Sequence, residues 1–166
     1  MIQFRLEKHC EAIEWLPESQ NGFRADRSTV DSMFVSRLLA SSAREKSVRL
    51  FKCFIDLTKA YDKVNRDILW RILTNIGVPD GLVWLIKGLL VGSRAEIRIK
   101  GTIVHGFDLD MGLKQGSVFS PLLFNIFFGC IIKAWQVKLE GKGFPLMFNL
   151  KGDFLSLHCL NVRAQT

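Results

Sequence analysis

The sequence predicts an α+β fold in a single domain. Segments with apolar residues at helical spacing are interleaved with alternating, β-rich segments, but they do not alternate regularly enough for a doubly wound sheet. At 166 residues, with 48% hydrophobic and 11% aromatic content, the chain carries enough apolar material for one core.

Residues Ile2 to Trp15 predict a short helix that Pro17 closes. After the polar loop Gln20-Asn21-Gly22-Phe23-Arg24, Ser28 or Thr29 supplies an N-cap. The helix that follows places Val30, Met33, Phe34 and Leu38 on one apolar face and ends near Arg44. Val48 to Leu57 reads as a strand, and its nearly continuous apolar character after Leu50 predicts cover on both faces.

Asn65 caps a helix whose Ile68, Leu69, Ile72, Leu73 and Ile76 share a face, stopped by Gly77 and Pro79. Asp80 starts another, through Leu90. Ala95 to Lys100 and Thr102 to Leu109 alternate around Lys100-Gly101, the pattern of a hairpin. A loop with Gly112 and Gly116 leads into an apolar helix from about Phe119 to Lys138. Phe144 to Leu160 reads as a second hairpin, turning at Lys151-Gly152-Asp153.

Lys and Arg total 23 against 16 Asp and Glu, a net charge of +7, which suits a polyanionic partner as well as it suits an ordinary basic protein. Cys10, Cys53, Cys130 and Cys159 are scattered without a C-x-x-C pair, so neither a zinc module nor a disulfide framework is indicated. No secretory signal pattern is present at the N-terminus. Val118 to Ile132 is the longest apolar run, short of the roughly 20 residues that span a bilayer. The expected setting is therefore intracellular, cytoplasmic or nuclear, with no membrane and no protein partner indicated.

Two segments offer chemistry. In Phe51 to Val64, an apolar strand ends in Asp56, with Asp62 beyond it. A carboxylate there caps a turn, or holds a metal or a cationic group. Hard carboxylate oxygens suit Mg²⁺. In Gly112 to Asn125, Gly116 lets backbone approach a ligand, Gln115 can donate and accept, and a helix N-terminus follows that favours anions. The G-x-x-x-x-G-K-[ST] pattern is absent, and a glycine-containing loop before an apolar helix is common.

Three blocks, Q-N-G-F-R-A-D-R-S-T at Gln20 to Thr29, F-I-D-L-T-K-A-Y-D-K-V at Phe54 to Val64 and G-L-K-Q-G-S-V-F-S-P-L-L-F-N at Gly112 to Asn125, stand in order. Together they resemble the reverse transcriptase domain of non-LTR retrotransposons. The resemblance implies a right-hand polymerase fingers and palm fragment, with an antiparallel palm sheet packed on helices. Residues 1 to about 47 would be fingers-side, and about 48 to 166 a partial palm. Implied partners are an RNA template, a DNA primer and deoxynucleotide triphosphates, with Mg²⁺ as cofactor.

By the same resemblance Asp56 is a catalytic metal ligand, and the backbone carbonyl of Leu57 binds the nucleotide-associated metal. Tyr61 packs under the incoming sugar and screens against a 2′-hydroxyl, or else serves as a core aromatic. Asp62 resembles the second acid of the block, structural in preference to the alternative of a metal ligand. Lys59 lies near the triphosphate path or is a solvated charge. Gln115 and Gly116 contact the nucleotide and template-primer, and Ser120 and Pro121 begin the packing helix. Arg24 either lies near nucleic acid or pins its own loop.

The implied reaction needs more than one carboxylate around two metals. The family's Ala-Asp-Asp block has no counterpart in this sequence, and Asp108 and Asp110 read as an exposed strand end. Nor does Met1 to Ser19 match the fingers block that precedes Q-x-G-F-R. The expectation is a fragment with an incomplete metal site, inactive by itself, or a non-catalytic nucleic-acid-binding remnant.

Overall fold

The computed structural model describes residues 1–18, 20–52 and 56–139. In chain order they form α1 (Ile2–Ala12), α2 (Thr29–Glu45), α3 (Arg66–Asn75), α4 (Asp80–Leu90), β1 (Arg94–Ile99), β2 (Thr102–Asp108) and α5 (Ser120–Leu139). Helices with a small antiparallel sheet make the fold α+β, as expected. The second expected hairpin, Phe144 to Leu160, lies outside the described residues.

Local chemistry sets the element boundaries. Ser28 caps α2 through a reciprocal capping box with Asp31, whose carboxylate receives the Ser28 N–H at 2.7 Å. Asn65 Oδ1 accepts the Ile68 N–H at 3.0 Å to open α3. Gly77, at φ +75°, closes α3: its N–H returns to Thr74 O and the Val78 N–H to Leu73 O, which satisfies two orphan carbonyls. Between β1 and β2, Lys100 and Gly101 both have positive φ, the two-residue turn whose twist matches a hairpin.

The core forms where α3 packs on α4 and α5, with α1 against α4. Leu6, Leu69, Leu73, Ile86, Leu123, Ile126 and Ile132 are fully buried there. His9 on α1 donates from Nε2 to the Ile76 carbonyl at 2.9 Å, tying α1 to the end of α3.

Three expectations change. The apolar face predicted for α2 is turned outward, with Val30, Met33 and Phe34 exposed. Its buried side is Ser32, Leu39 and Ala43, and Ser32 is held there by a 2.8 Å hydrogen bond from Asn21 Nδ2. Of the strand expected over Val48 to Leu57, residues 48–52 are not in a strand and Phe51 is 88% exposed, Leu57 forms a β-bridge, and 53–55 lie outside the described residues. Lys52 instead donates to the Ser36 carbonyl and hydroxyl, laying this segment beside α2. Finally, β1 and β2 pair antiparallel, but Ile97, Ile99, Ile103, Val104 and Phe107 are exposed rather than packed on helices.

Candidate active site

The segment after Asp56 folds into a turn rather than a helix. Lys59 takes φ +53°, and the Lys63 N–H returns to Lys59 O at 3.1 Å. This turn sorts its residues by polarity. Leu57, Ala60, Tyr61 and Val64 pack against the core, while Asp56, Lys59, Asp62 and Lys63 stay exposed.

The Gly112 to Ser117 loop docks on that turn. Gly112 N–H donates to Val64 O and Leu113 N–H to Tyr61 O, each at 2.9 Å, and Gln115 Nε2 donates to Asp62 Oδ1 at 3.3 Å. Gly112 has φ +80°, and a Cβ there would lie 2.7 Å from the Asp62 carbonyl oxygen, so only glycine permits the approach. Ser120, buried at the start of α5, donates its hydroxyl to Lys114 O at 2.7 Å and holds the loop's far side.

Arg66 clamps the loop from beneath. Arg66 is 8% exposed, and its guanidinium donates to Gly112 O, Leu90 O and Leu109 O at 2.7–2.8 Å. Burial lowers its pKa from the ordinary arginine value, with Asp110 opposing.

The first block joins through Gln20 and Asn125. Gln20 Nε2 donates to Asn125 Oδ1 at 2.8 Å, and Asn125 Nδ2 donates to Gly22 O at 2.8 Å. Phe23 then meets Tyr61 edge to face, and Tyr61 stacks on Phe124 with centroids 5.0 Å apart. Burial raises the pKa of the Tyr61 phenol above its ordinary value. Arg24 donates to Pro17 O and Gln20 O, so its guanidinium holds the loop that carries it. Burial and then Arg27 lower its pKa.

An open cleft of about 530 Å³ lies on the α1 side of this loop, lined by Glu7, Glu11, Glu14, Glu18 and Arg24 among others. Its carboxylates repel phosphate, which sets it apart from the turn carrying Lys59 and Lys63.

Of the residues singled out in the sequence, the structure brings Tyr61, Asp62, Gln115 and Gly116 together across the two docked segments. Asp56 and Leu57 lead into the same turn, and Arg24 sits one residue from the Phe23 contact. Asp56 and the Leu57 carbonyl are hard oxygen donors of the kind Mg²⁺ prefers. Among the described residues no group of three or more His, Cys, Asp or Glu side chains gathers to hold a metal.

Arg66, Gln20 and Asn125 went unmarked as site-building residues, though each left a signal. A cation in the first turn of α3 opposes the helix dipole, and an amide inside the apolar run Val118 to Ile132 requires a buried partner.

A family model described as reverse transcriptase (RNA-dependent DNA polymerase) matches residues 1–150. The chain belongs to the reverse transcriptase family. It is 33% identical over 122 residues to a retrovirus-related Pol polyprotein from type-1 retrotransposable element R2 of Popillia japonica, covering 72% of this chain and 17% of the relative. It is 29% identical over 133 residues to a probable RNA-directed DNA polymerase from transposon X-element of Drosophila melanogaster, covering 76% of this chain and 14% of the relative. The RNA-directed DNA polymerase from mobile element jockey of Drosophila funebris is 29% identical over 127 residues, with 76% and 14% covered.

The resemblance to non-LTR retrotransposon reverse transcriptases therefore holds. The chain spans between 14% and 17% of the length of these relatives. No solved structure matches it significantly. No helix among the described residues is long and apolar enough to cross a membrane.

Proposed function

We propose that residues 1–166 are a fingers and palm portion of the RNA-directed DNA polymerase of a non-LTR retrotransposon. About 1–47 lie on the fingers side and about 48–166 in the palm. The observation that carries this reading is the docking of the Gln115 loop on the Tyr61 turn, because it joins two blocks that the family uses around one nucleotide.

In this reading the Tyr61 ring, backed by Phe124, supports the sugar of an incoming deoxynucleotide. Gln115 and Gly116 contact the nucleotide and template-primer, and Lys59 attracts the triphosphate. Arg24 steadies the fingers-side loop next to nucleic acid. Asp56 and the Leu57 carbonyl contribute to a Mg²⁺ site, where the bound ion would stabilise attacking and leaving oxygens as a primer 3′-hydroxyl displaces pyrophosphate. The free thiols of Cys10 and Cys130 suit an intracellular, reducing setting.

A second reading rests on the donor set. One family-matched carboxylate leaves little charge to hold two cations, so residues 1–166 alone would bind template-primer without extending it. Primer extension on an RNA template, with Mg²⁺ or Mn²⁺ and an Asp56→Ala control, separates the readings. The expected result is salt-dependent binding, with incorporation no higher than the control. Incorporation above that control sinks the non-catalytic reading, and binding indifferent to salt counts against both.

A further inference from the structure

Phe23 is 64% exposed and has φ +55°, a backbone conformation that bulky residues rarely adopt. Exposed aromatics on loose loops are ordinary, but this one is clamped on both sides. The Asn125 amide, itself 2% exposed, donates to the Gly22 carbonyl at 2.8 Å and to the Phe23 carbonyl at 3.5 Å. Arg24, the next residue, is tied to Pro17 O and Gln20 O. Beneath the ring, Tyr61 meets it edge to face at 6.5 Å, and stacked Phe124 and Phe128 continue into the core. The chain thus spends a strained conformation and a buried amide on holding one apolar ring in water.

We propose that Phe23 is a stacking platform for a nucleobase, placed beside Tyr61. A planar, rigid and exposed ring matches the π-face that every base presents, and holding it in advance lowers the ordering cost of binding. The surrounding charge selects the approach. Lys59 and Lys63 are exposed on the Tyr61 turn and attract phosphates, whereas the cleft that Phe23 also borders is lined by glutamates. The sugar-phosphate backbone therefore runs on the lysine side. This inference rests on the reading of the chain as a nucleic-acid-binding polymerase portion, and the base belongs either to a bound strand or to a free nucleotide.

Fluorescence anisotropy of the full chain tests it, with a labelled oligothymidine and an abasic strand of equal length and charge. Phe23→Ala is expected to weaken oligothymidine binding about tenfold, and Phe23→Trp to stay within about twofold of wild type. The abasic strand should bind wild type and Phe23→Ala alike. An equal loss on the abasic strand, an equal loss in Phe23→Ala and Phe23→Trp, or no loss in Phe23→Ala with either oligothymidine or dTTP overturns the platform while leaving nucleic-acid binding intact.

Wild type binding neither strand overturns the parent reading and the platform together. In a parallel calorimetric titration with dTTP, a Phe23→Ala loss confined to the free nucleotide supports an incoming base. A loss confined to oligothymidine supports a strand base.

Discussion

Gln20 and Asn125 share a buried hydrogen bond of 2.8 Å although 105 residues separate them in the chain. The Gly22 carbonyl can only accept, so Asn125 Nδ2 must face it and Asn125 Oδ1 must receive Gln20 Nε2. The pair welds the first sequence block to α5. Asn125→Ala should cost about 2–3 kcal/mol, because it strands the Gln20 amide and the Gly22 carbonyl. The double variant Gln20→Leu/Asn125→Leu should cost less than the sum of its single changes, since it removes both buried polar groups. Urea unfolding of the set checks this through coupled midpoints.

Arg66 serves three carbonyls on three segments: the end of α4, the end of β2 and the Gly112 loop. Arg66→Ala should destabilise the fold by about 3 kcal/mol, and Arg66→Lys by roughly half that, because one ammonium cannot reproduce the fork. Amide hydrogen exchange gives the local readout. Gly112 and Leu113 should lose protection in both variants before α3 does.

Two glycines of the same loop make a matched comparison. Gly112 and Gly116 have nearly the same φ, +80° and +78°, but a Cβ at Gly112 collides with Asp62 backbone whereas one at Gly116 meets nothing within 4 Å. Gly116→Ala should therefore cost about 1 kcal/mol, the backbone term alone. Gly112→Ala should cost clearly more and disrupt the Gln115–Asp62 contact. Thermal melts of the two variants, run side by side, test whether docking of the two segments is what Gly112 permits.

The Cys10 thiol is 1% exposed, and its pKa is pushed up to about 12, first by burial and then by Glu11 and Glu7. Its folded-state pKa lies above the unfolded value, so the folded state keeps a proton that the unfolded chain releases. That contribution is complete below about pH 9 and declines at about 1.4 kcal/mol per pH unit above it. Tyr61, shifted the same way, adds to the decline above about pH 10. Melts across pH 8 to 10.5 should show a falling midpoint, and Cys10→Ala should flatten the slope between pH 9 and 10.

Helix boundaries were legible because they depend on neighbours in the chain: the Ser28 box, the Asn65 cap, the Gly77 stop and the Lys100-Gly101 turn each act within a few residues. The outward face of α2 was not legible. Apolar periodicity identifies a stripe without saying what covers it, and the Asn21–Ser32 contact comes from a loop whose path is tertiary. The exposed hairpin follows the same logic, since alternation predicts pairing but not a partner for the sheet's face.

By itself the sequence determined the family, the α+β class and the segments that carry the candidate chemistry, because motif identity and local periodicity are properties of the chain in one dimension. Only the tertiary structure decided which of those segments touch. The Gln115 amide on the Asp62 carboxylate, the Arg66 clamp and the fixed Phe23 ring each join residues by packing and hydrogen bonding across loops. No short-range rule sets such contacts; they exist because burying one core brings distant polar groups to partners that they must satisfy.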